Sequence, residues 1–265
     1  MATGIRGKTV IITGGASGIG KATAFSFVKE GARVVIVTGH SVKAAEETVR
    51  EIRERGGEAL FVQCDVSNEK QVEAMVARTV AEYGAVDFAF NNAGVGPDGV
   101  TIPFSPLTEV TESDWDQVID TNLKGVFLCM KHELRQMRKQ GWGAIVNTSS
   151  TGGLRIMANF GAYGPSKAGI NFISKLAALE NKSRGIRVNV VCPGPTKGTG
   201  MSERMVSSMK KGLGPGSGSI KAGGDPTAEM GEPDDVARTV IWLCSQEASY
   251  INGNVLSVDG GMDLG

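Results

Sequence analysis

The chain alternates short apolar runs with longer amphipathic runs along almost its whole length. The short runs are rich in β-branched residues and apolar on both faces, which is typical of parallel strands covered by helices. Because a strand, a helix and a parallel strand in succession form a right-handed crossover, this order predicts a doubly wound α/β fold. We expect a seven-stranded parallel sheet in a three-layer α/β/α arrangement. The predicted strands are 8–13, 32–37, 59–63, 86–90, 143–148, 187–191 and 255–258, and the predicted helices are 18–30, 42–55, 68–83, 111–140, 161–183 and 233–245.

The length of the chain fits one domain of this type, residues 1–265. No linker or internal repeat divides it, but the segment 195–232 departs from the alternation and is rich in glycine. This segment is either a disordered loop or a lid with a short helix, whose apolar residues, such as Met201 and Met205, close over a ligand. Because it follows the C-terminal end of a strand, where open α/β sheets bind ligands, we expect a substrate-binding lid.

The composition limits the classes of partner. Basic and acidic residues number 28 each, so no net charge attracts nucleic acid or an anionic membrane. No apolar run approaches the ~18 residues of a membrane span, and the N-terminus lacks a signal-peptide pattern. Four cysteines stand far apart in apolar runs, as buried free thiols do in a reducing compartment, and two histidines form no metal-ligand cluster. We therefore expect a cytoplasmic protein without nucleic-acid, membrane or metal partners.

A glycine-rich turn at 13–20 joins the first predicted strand to the first predicted helix. Glycine lets the backbone approach a pyrophosphate, which the N–H groups and the dipole of the helix N-terminus then stabilise. Any tight turn favours glycine, so the position between strand and helix, more than the composition, predicts a dinucleotide site. The candidate cofactor-binding residues in the turn are Gly14, Ser17, Gly18, Ile19 and Gly20.

The end of the second strand bears on the choice between NAD and NADP. An acidic residue there would bind the ribose hydroxyls and repel a 2′-phosphate, but Thr38 occupies this position. His40 follows it, either as a phosphate-binding residue or as an ordinary exposed loop residue. The sequence therefore allows either cofactor and favours NADP.

The next two strand ends supply further candidate cofactor contacts. Asp65 and Val66 follow the third strand, where the carboxylate is placed either to reach an adenine amino group or to cap the next helix. The fourth strand runs into Asn92, Ala93 and Gly94, small residues against which a ribose can lie.

Ser150, Tyr163 and Lys167 form the constellation that carries the chemistry. Tyr163 follows Ser150 by 13 residues, and Lys167 lies four residues further, one helical turn away on the same face. Pro165 between them is compatible with a helix if it falls in the first turn. A free tyrosine, with a pKa of about 10, is a poor base at neutral pH; a neighbouring ammonium and a positively charged nicotinamide would lower that pKa. Ser150 can hold the substrate oxygen while the proton moves.

With these motifs the sequence resembles the short-chain dehydrogenase/reductase family, from Lys8 to Gly261. Besides the turn, the Asn-Asn-Ala-Gly run and the Ser–Tyr–Lys set, the resemblance rests on Asn122 in Asn-Leu-Lys-Gly and on Pro193-Gly194. It implies a Rossmann-like dehydrogenase domain in which Pro193 and Gly194 lie at the cofactor.

The resemblance also implies roles for the four catalytic candidates. Tyr163 is the acid/base, Ser150 polarises the substrate, and Asn122 holds a water in a proton relay. Lys167 lowers the tyrosine pKa and binds the nicotinamide ribose, so Tyr163 and Lys167 also count among the cofactor-binding residues. Ser149 is the rival for the serine role, but the 13-residue step of the family points to Ser150.

One motif departs from the family pattern. The family places a threonine four residues after the glycine of Pro-Gly, where it contacts the nicotinamide carboxamide. Here Thr199 stands five residues after Gly194, with an extra residue near Gly198, and Thr196 lies closer. Either threonine is a candidate for the nicotinamide contact.

The implied activity is reversible hydride transfer between NAD(P)H and a ketone or secondary alcohol, as in a carbonyl reductase or alcohol dehydrogenase, by a homotetramer. The alternative is a catalytically silent nucleotide-binding scaffold or redox sensor of the same fold. Epimerase or dehydratase chemistry on nucleotide sugars would call for a larger C-terminal region. Four apolar residues near the site either form an apolar wall of the substrate pocket or belong to the core: Leu154, Ile156, Met157 and Phe160. Two basic residues, Arg155 and Lys197, either bind an anionic group of the substrate or lie on the solvated surface.

Overall fold

The computed structural model describes residues 3–210 and 230–262, and within them seven parallel strands form one sheet. The strand order is β3-β2-β1-β4-β5-β6-β7, so the chain moves outward from β1 and then returns to β4 on the other side of β1. This order confirms the predicted doubly wound parallel sheet. The strands are β1 (Thr9–Thr13), β2 (Arg33–Thr38), β3 (Glu58–Gln63), β4 (Phe88–Asn91), β5 (Gly143–Thr148), β6 (Ile186–Pro193) and β7 (Val255–Val258).

The helices cover both faces of the sheet because successive strand residues point to opposite sides. On one face Ile12 packs in a cluster with Phe27 and Val240, and on the other Ile11 belongs to a cluster with Ile170. These two cores give the three layers that the alternating pattern predicted. The helices are α1 (Gly18–Lys29), α2 (Val42–Glu54), α3 (Glu69–Tyr83), α4 (Glu112–Val118), α5 (Gly125–Gln140), α6 (Tyr163–Asn181), α7 (Gly200–Lys210) and α8 (Pro233–Cys244).

The predicted helix at 111–140 is interrupted. Between α4 and α5 the backbone forms a π-helical segment, Ile119–Lys124, that contains the fully buried Asn122. A wider turn of this kind leaves apolar residues buried on both sides of it, here Val118 and Val126, so the apolar spacing does not reveal it. Such segments occur frequently at functional sites.

The predicted lid is described in part. Its first half contains α7, the short helix that the sequence analysis allowed for, whereas residues 211–229 of the lid lie outside the described residues. Within the described part of the chain, no helix is long and apolar enough to span a membrane, no group of side chains is arranged to hold a metal ion, and all four cysteines are buried free thiols.

Candidate active site

A cavity of about 600 Å³ follows the C-terminal edge of the sheet, on both sides of the point where the strand order reverses between β1 and β4. Open α/β sheets bind ligands at this edge. All the predicted cofactor and catalytic residues line the cavity except Gly20 and Asn122. Those two lie directly behind its wall, against Gly14 and Val95.

The glycine-rich turn is shaped for close approach of a ligand. Gly14 (φ +66°) and Gly18 (φ +50°) adopt left-handed conformations that favour glycine. A Cβ on Gly20 would lie 2.2 Å from the Gly14 carbonyl oxygen, so the turn needs glycine there as well. Ser17 precedes α1, and its hydroxyl makes no capping hydrogen bond. The first turn of α1 therefore offers N–H groups and an uncommitted hydroxyl to a pyrophosphate.

The ends of β2 and β3 form the far end of the cavity. Thr38 accepts a hydrogen bond from a backbone N–H of the following loop, and His40 is exposed. Asp65 is oriented by Ser67, whose backbone N–H and hydroxyl donate to Oδ1 at 2.9 and 2.8 Å. The side chain that caps α3 is Asn68, not Asp65. Asp65 thus lines the cavity beside Val66 rather than capping the helix.

A residue that the sequence analysis missed, Thr13, connects the glycine-rich turn to the end of β4. Its Oγ1 accepts the N–H groups of Asn92 at 2.9 Å and Ala93 at 3.1 Å. Gly94 follows, and a Cβ there would lie 3.1 Å from Asn122 Oδ1 and 3.4 Å from Lys167 Nζ. Gly94 thus leaves no room for a side chain beside Asn122 and Lys167, and the run Asn92–Gly94 lines the cavity, where a ribose could lie against its backbone. The feature of the sequence that could have identified Thr13 is its position as the last residue of β1, at the edge of the sheet where the other candidates lie.

The two serines after β5 differ in their hydrogen bonds. Ser149 is buried, and its hydroxyl donates to the carbonyl oxygen of Lys167 at 2.9 Å. Ser150 Oγ accepts the N–H of Gly152 at 3.0 Å, which leaves its own proton for another acceptor, and Ser150 acts to lower the pKa of Tyr163. This difference favours Ser150 over Ser149 as the residue that holds a substrate oxygen.

Tyr163 and Lys167 are both positioned by the start of α6. Tyr163 is the first residue of the helix, so Pro165 falls in its first turn, as expected. Lys167 Nζ donates to the carbonyl oxygen of Thr148 at 3.0 Å and lies 5.6 Å from the centroid of the Tyr163 ring. Burial lowers the pKa of Lys167 to about 8. The lysine therefore still carries its proton at neutral pH.

The pKa of Tyr163 is shifted in the opposite direction to the one expected from the sequence. Burial raises it above the ordinary value of a tyrosine, and the hydrogen bond with Ser150 opposes the rise only in part. Desolvation dominates because removal from water penalises the charged phenolate more than the neutral phenol. In the protein by itself, Tyr163 is therefore a protonated phenol at neutral pH.

Asn122 acts as a clamp behind the site. Its Oδ1 accepts the N–H of Val95 and its Nδ2 donates to the Val95 carbonyl, both at 2.8 Å. Nδ2 also donates to Ser166 Oγ, which in turn donates to the carbonyl oxygen of Tyr163. The amide therefore fixes the loop after β4 relative to the start of α6. Ser166 resembles an ordinary helix serine in the sequence and was not identified there.

The two candidate threonines have different surroundings. Thr199 caps α7 through the N–H of Ser202 and packs against Gly18 of the glycine-rich turn. Thr196 is buried and donates to the carbonyl oxygen of Gly194. Gly198 between them has φ +64°, the local loop that accommodates the extra residue. Both threonines line the cavity, Thr199 nearer the glycine-rich turn.

At the substrate end, the cavity wall differs from the expected one. Met157 and Phe160 line it, whereas Leu154 and Ile156 point to solvent. Neither predicted anion-binding residue lies there: Arg155 donates to a backbone carbonyl of the C-terminal segment, and Lys197 forms an ion pair with Glu232. The side chains that line this end include Asp98, Thr101, Gln117, Thr121, Met201, Arg204 and Met205.

Comparison with known proteins bears on the identity of this site. A family model described as enoyl-(acyl carrier protein) reductase matches residues 14–263. Over 261 residues the chain is 36% identical to the short chain dehydrogenase/reductase astE of Aspergillus oryzae, which covers 98% of this chain and 96% of the relative. The chain belongs to the short-chain dehydrogenase/reductase family. This confirms the resemblance inferred from the motifs.

Two further relatives of this short-chain dehydrogenase/reductase have named substrates. It is 37% identical over 254 residues to cis-4-hydroxycyclohexanecarboxylate dehydrogenase of Sinomonas cyclohexanicum, with 96% of each chain covered. The crystal structure of levodione reductase superposes with a TM-score of 0.86, at 35% identity and with 98% of each chain covered. The protein is therefore an NAD(P)-dependent oxidoreductase that acts on alcohol and ketone groups, as predicted.

Proposed function

We propose that this short-chain dehydrogenase/reductase interconverts a cyclic ketone and the corresponding secondary alcohol with NADP(H), using Ser150, Tyr163, Lys167 and Asn122. The observation that carries the assignment of residues is that Ser150, Tyr163 and the buried Lys167 line the same cavity, with Lys167 Nζ 5.6 Å from the centroid of the Tyr163 ring. All three side chains face one cavity, and the silent-scaffold alternative would have no use for them.

In the direction of ketone reduction, the Ser150 hydroxyl donates a hydrogen bond to the substrate oxygen. Tyr163, kept protonated by burial, gives its proton to that oxygen as negative charge develops on it. Lys167 and Asn122 keep the tyrosine and the cofactor-facing loop in position. Bound NAD(P) supplies or accepts the hydride and, in the oxidised form, adds the positive charge that favours a phenolate for alcohol oxidation.

The two neighbouring serines provide a matched test of the catalytic set. We expect Ser150→Ala to lower kcat for ketone reduction by about 10²–10³-fold, the range for loss of one donor to a developing oxyanion. Ser149→Ala removes a hydroxyl that donates to a backbone carbonyl, so kcat should change less than tenfold. A larger loss in Ser149→Ala than in Ser150→Ala would reverse the assignment.

NADP is the proposed cofactor because no carboxylate stands at the end of β2 to repel a 2′-phosphate. Thr38 and His40 line this end of the cavity. The wild type should have a higher kcat/KM with NADPH than with NADH, and Thr38→Asp should reverse that order. A wild type that strongly prefers NADH would overturn this part of the proposal.

A cyclic substrate is proposed from two supports. The relatives named above include a dehydrogenase of a hydroxycyclohexane carboxylate and a levodione reductase. The substrate end of the cavity has an apolar wall of Met157, Phe160, Met201 and Met205, which suits an alicyclic ring. We expect the protein to turn over cyclohexanones well above linear ketones of equal carbon number.

We also propose that α7 forms part of a lid over the substrate end of the cavity.

A homotetramer is proposed because the exposed face of α6 carries an apolar stripe. Phe172, Leu176 and Leu179 stand at helical spacing and are 74%, 46% and 63% exposed, and Phe127 of α5 is 49% exposed. Exposed apolar stripes of this kind mark protein–protein contacts. Sedimentation should give a tetramer for the wild type and smaller species for Leu176→Glu.

A cytoplasmic location stays a prediction from the four free thiols.

A further inference from the structure

The substrate end of the cavity carries a charged pair that the proposed reaction does not use. Asp98 lies in the loop after β4, and Arg204 lies on α7; Arg204 Nε donates to Asp98 Oδ2 at 2.5 Å. The pair joins two cavity walls that are 106 residues apart in the chain. Arg204 is 45% exposed, whereas the side chain of Asp98 is almost completely buried.

This pair lies near the reacting centre. A Cβ on Gly96, two residues before Asp98, would lie 2.7 Å from Tyr163 Cδ2 and 3.4 Å from Met201 Sδ. Met201 and Arg204 are one helical turn apart on α7, and both line the cavity. Arg204 therefore lies one helical turn beyond Met201, which packs beside Gly96, and Gly96 in turn adjoins the ring of Tyr163.

Both carboxylate oxygens of the buried Asp98 are engaged within the protein. Its Oδ1 accepts backbone N–H groups from Val100 at 2.9 Å and Thr101 at 2.6 Å, and its Oδ2 accepts from Arg204. Burial alone would raise its pKa, but the hydrogen bonds from Arg204 and these N–H groups outweigh it and hold the pKa of Asp98 below its usual value. Asp98 is thus an internal anion that orients Arg204.

Arg204, by contrast, keeps one edge available. Among the described residues, neither Nη1 nor Nη2 has a hydrogen-bond partner, while Nε is held by Asp98. A guanidinium fixed through Nε presents Nη1 and Nη2 as a preorganised fork for a carboxylate. The other acidic and basic residues of the described cavity wall are Lys167, which adjoins Tyr163, and, at the far end, His40 and Asp65.

We propose that Arg204 is a specificity-determining residue that binds a carboxylate on the substrate, remote from the carbon that exchanges the hydride. The substrate class is then a cyclic keto acid or hydroxy acid. This inference deepens the proposed function and rests on it for the identity of the reacting group. The cation that sequence reasoning sought at Arg155 or Lys197 is supplied instead by a residue of α7.

Matched ligands separate charge from shape. Cyclohexanecarboxylate and cyclohexanecarboxamide have nearly the same outline, and neither has a ring carbonyl to reduce. Calorimetry with the NADP-loaded protein should show the carboxylate binding about 10–100-fold more tightly than the amide, the range for charge-assisted hydrogen bonds. In Arg204→Gln this preference should disappear, and Arg204→Lys should restore part of it. Lys197→Gln, which removes a cation outside the cavity, should keep the preference of the wild type.

Kinetics with 4-oxocyclohexanecarboxylate and its carboxamide give the second readout. Arg204→Gln should raise KM about 10–100-fold for the keto acid and change KM little for the keto amide. A general loosening of the Asp98 loop would affect both substrates equally, so the ratio of the two KM values reports the charge contact alone.

Three outcomes would overturn the inference: equal affinity of the wild type for the acid and the amide, a preference that survives in Arg204→Gln, or weaker NADP binding in that variant. The last would mean that the guanidinium binds a cofactor phosphate. Failure of the proposed function looks different, because the keto amide would then not be reduced while carboxylate binding still depended on Arg204.

Discussion

Glu133 offers a quantitative test of the physical reasoning, because it is a fully buried carboxyl group behind the cofactor-binding edge of the sheet. Its Oε2 accepts a hydrogen bond from Asn91 Nδ2 at 2.9 Å. Its Oε1 has no partner in the described part of the chain, and neither has Asn91 Oδ1. Burial raises the pKa of Glu133 from 4.5 to about 7, against the lowering effect of the Asn91 hydrogen bond.

A raised pKa means that the folded state binds this proton more tightly than the unfolded state does. The free energy of unfolding should therefore fall as the pH rises from about 4.5 to about 7, and become constant above that range. At about 1.4 kcal/mol per pKa unit, the contribution lost is about 3 kcal/mol. Glu133→Gln removes the ionisation while keeping an oxygen that can accept from Asn91 Nδ2, so it should abolish this loss.

The assay is equilibrium urea denaturation of the wild type and Glu133→Gln between pH 5 and pH 8, at one protein concentration because of the proposed oligomer. Subtracting the two curves cancels the other titrating groups. The variant should be about equal to the wild type in stability near pH 5 and more stable, by up to about 3 kcal/mol, at pH 8. Glu46→Gln, which removes a carboxylate from an exposed position of α2, serves as the matched control. A pH-independent difference for Glu133→Gln, or a less stable variant at pH 8, would refute the reasoning.

Two glycine substitutions test the shape of the site. Gly96→Ala places a Cβ 2.7 Å from Tyr163 Cδ2, so displacement of the tyrosine ring should lower kcat by about 10²-fold. The affinity for NADPH, measured by fluorescence titration, should change little. An unchanged kcat would contradict the contact between Gly96 and the ring. Gly20→Ala places a Cβ 2.2 Å from the Gly14 carbonyl oxygen, so NADPH affinity should fall at least tenfold and stability by about 1–3 kcal/mol in urea denaturation. Wild-type NADPH affinity in Gly20→Ala would show that the turn tolerates a side chain.

The order of elements could be predicted because it depends on local patterns. A strand covered on both faces is apolar throughout, and apolar residues recur along an amphipathic helix every three or four positions. The buried positions of both kinds of element can therefore be recognised in the sequence before any tertiary contact is known. The Ser–Tyr–Lys set was visible for a related reason. Ser150 ends a strand, and Tyr163 and Lys167 share one helix face, so their mutual placement follows from the two elements that carry them.

The features that escaped prediction depend on contacts between distant parts of the chain. The π-helical turn at Asn122 preserves the apolar pattern of its helix, and its purpose appears only in the clamp on Val95 and Ser166. The Asp98–Arg204 pair joins a loop residue to a residue of α7 that is 106 positions away in the chain, and no local period encodes such a contact. The direction of the Tyr163 pKa shift depends on the depth of burial, which spacing does not report.

The central claim is that the phenol of Tyr163 transfers the proton that accompanies hydride transfer. The most direct test is single-turnover oxidation of NADPH by a cyclohexanone with Tyr163→Phe, and with the fully exposed Tyr250→Phe as a matched control. Tyr163→Phe should lose about 10²–10⁴-fold in rate while NADPH binds with nearly wild-type affinity, and Tyr250→Phe should react like the wild type. A wild-type rate for Tyr163→Phe, with NADPH bound, would contradict the account.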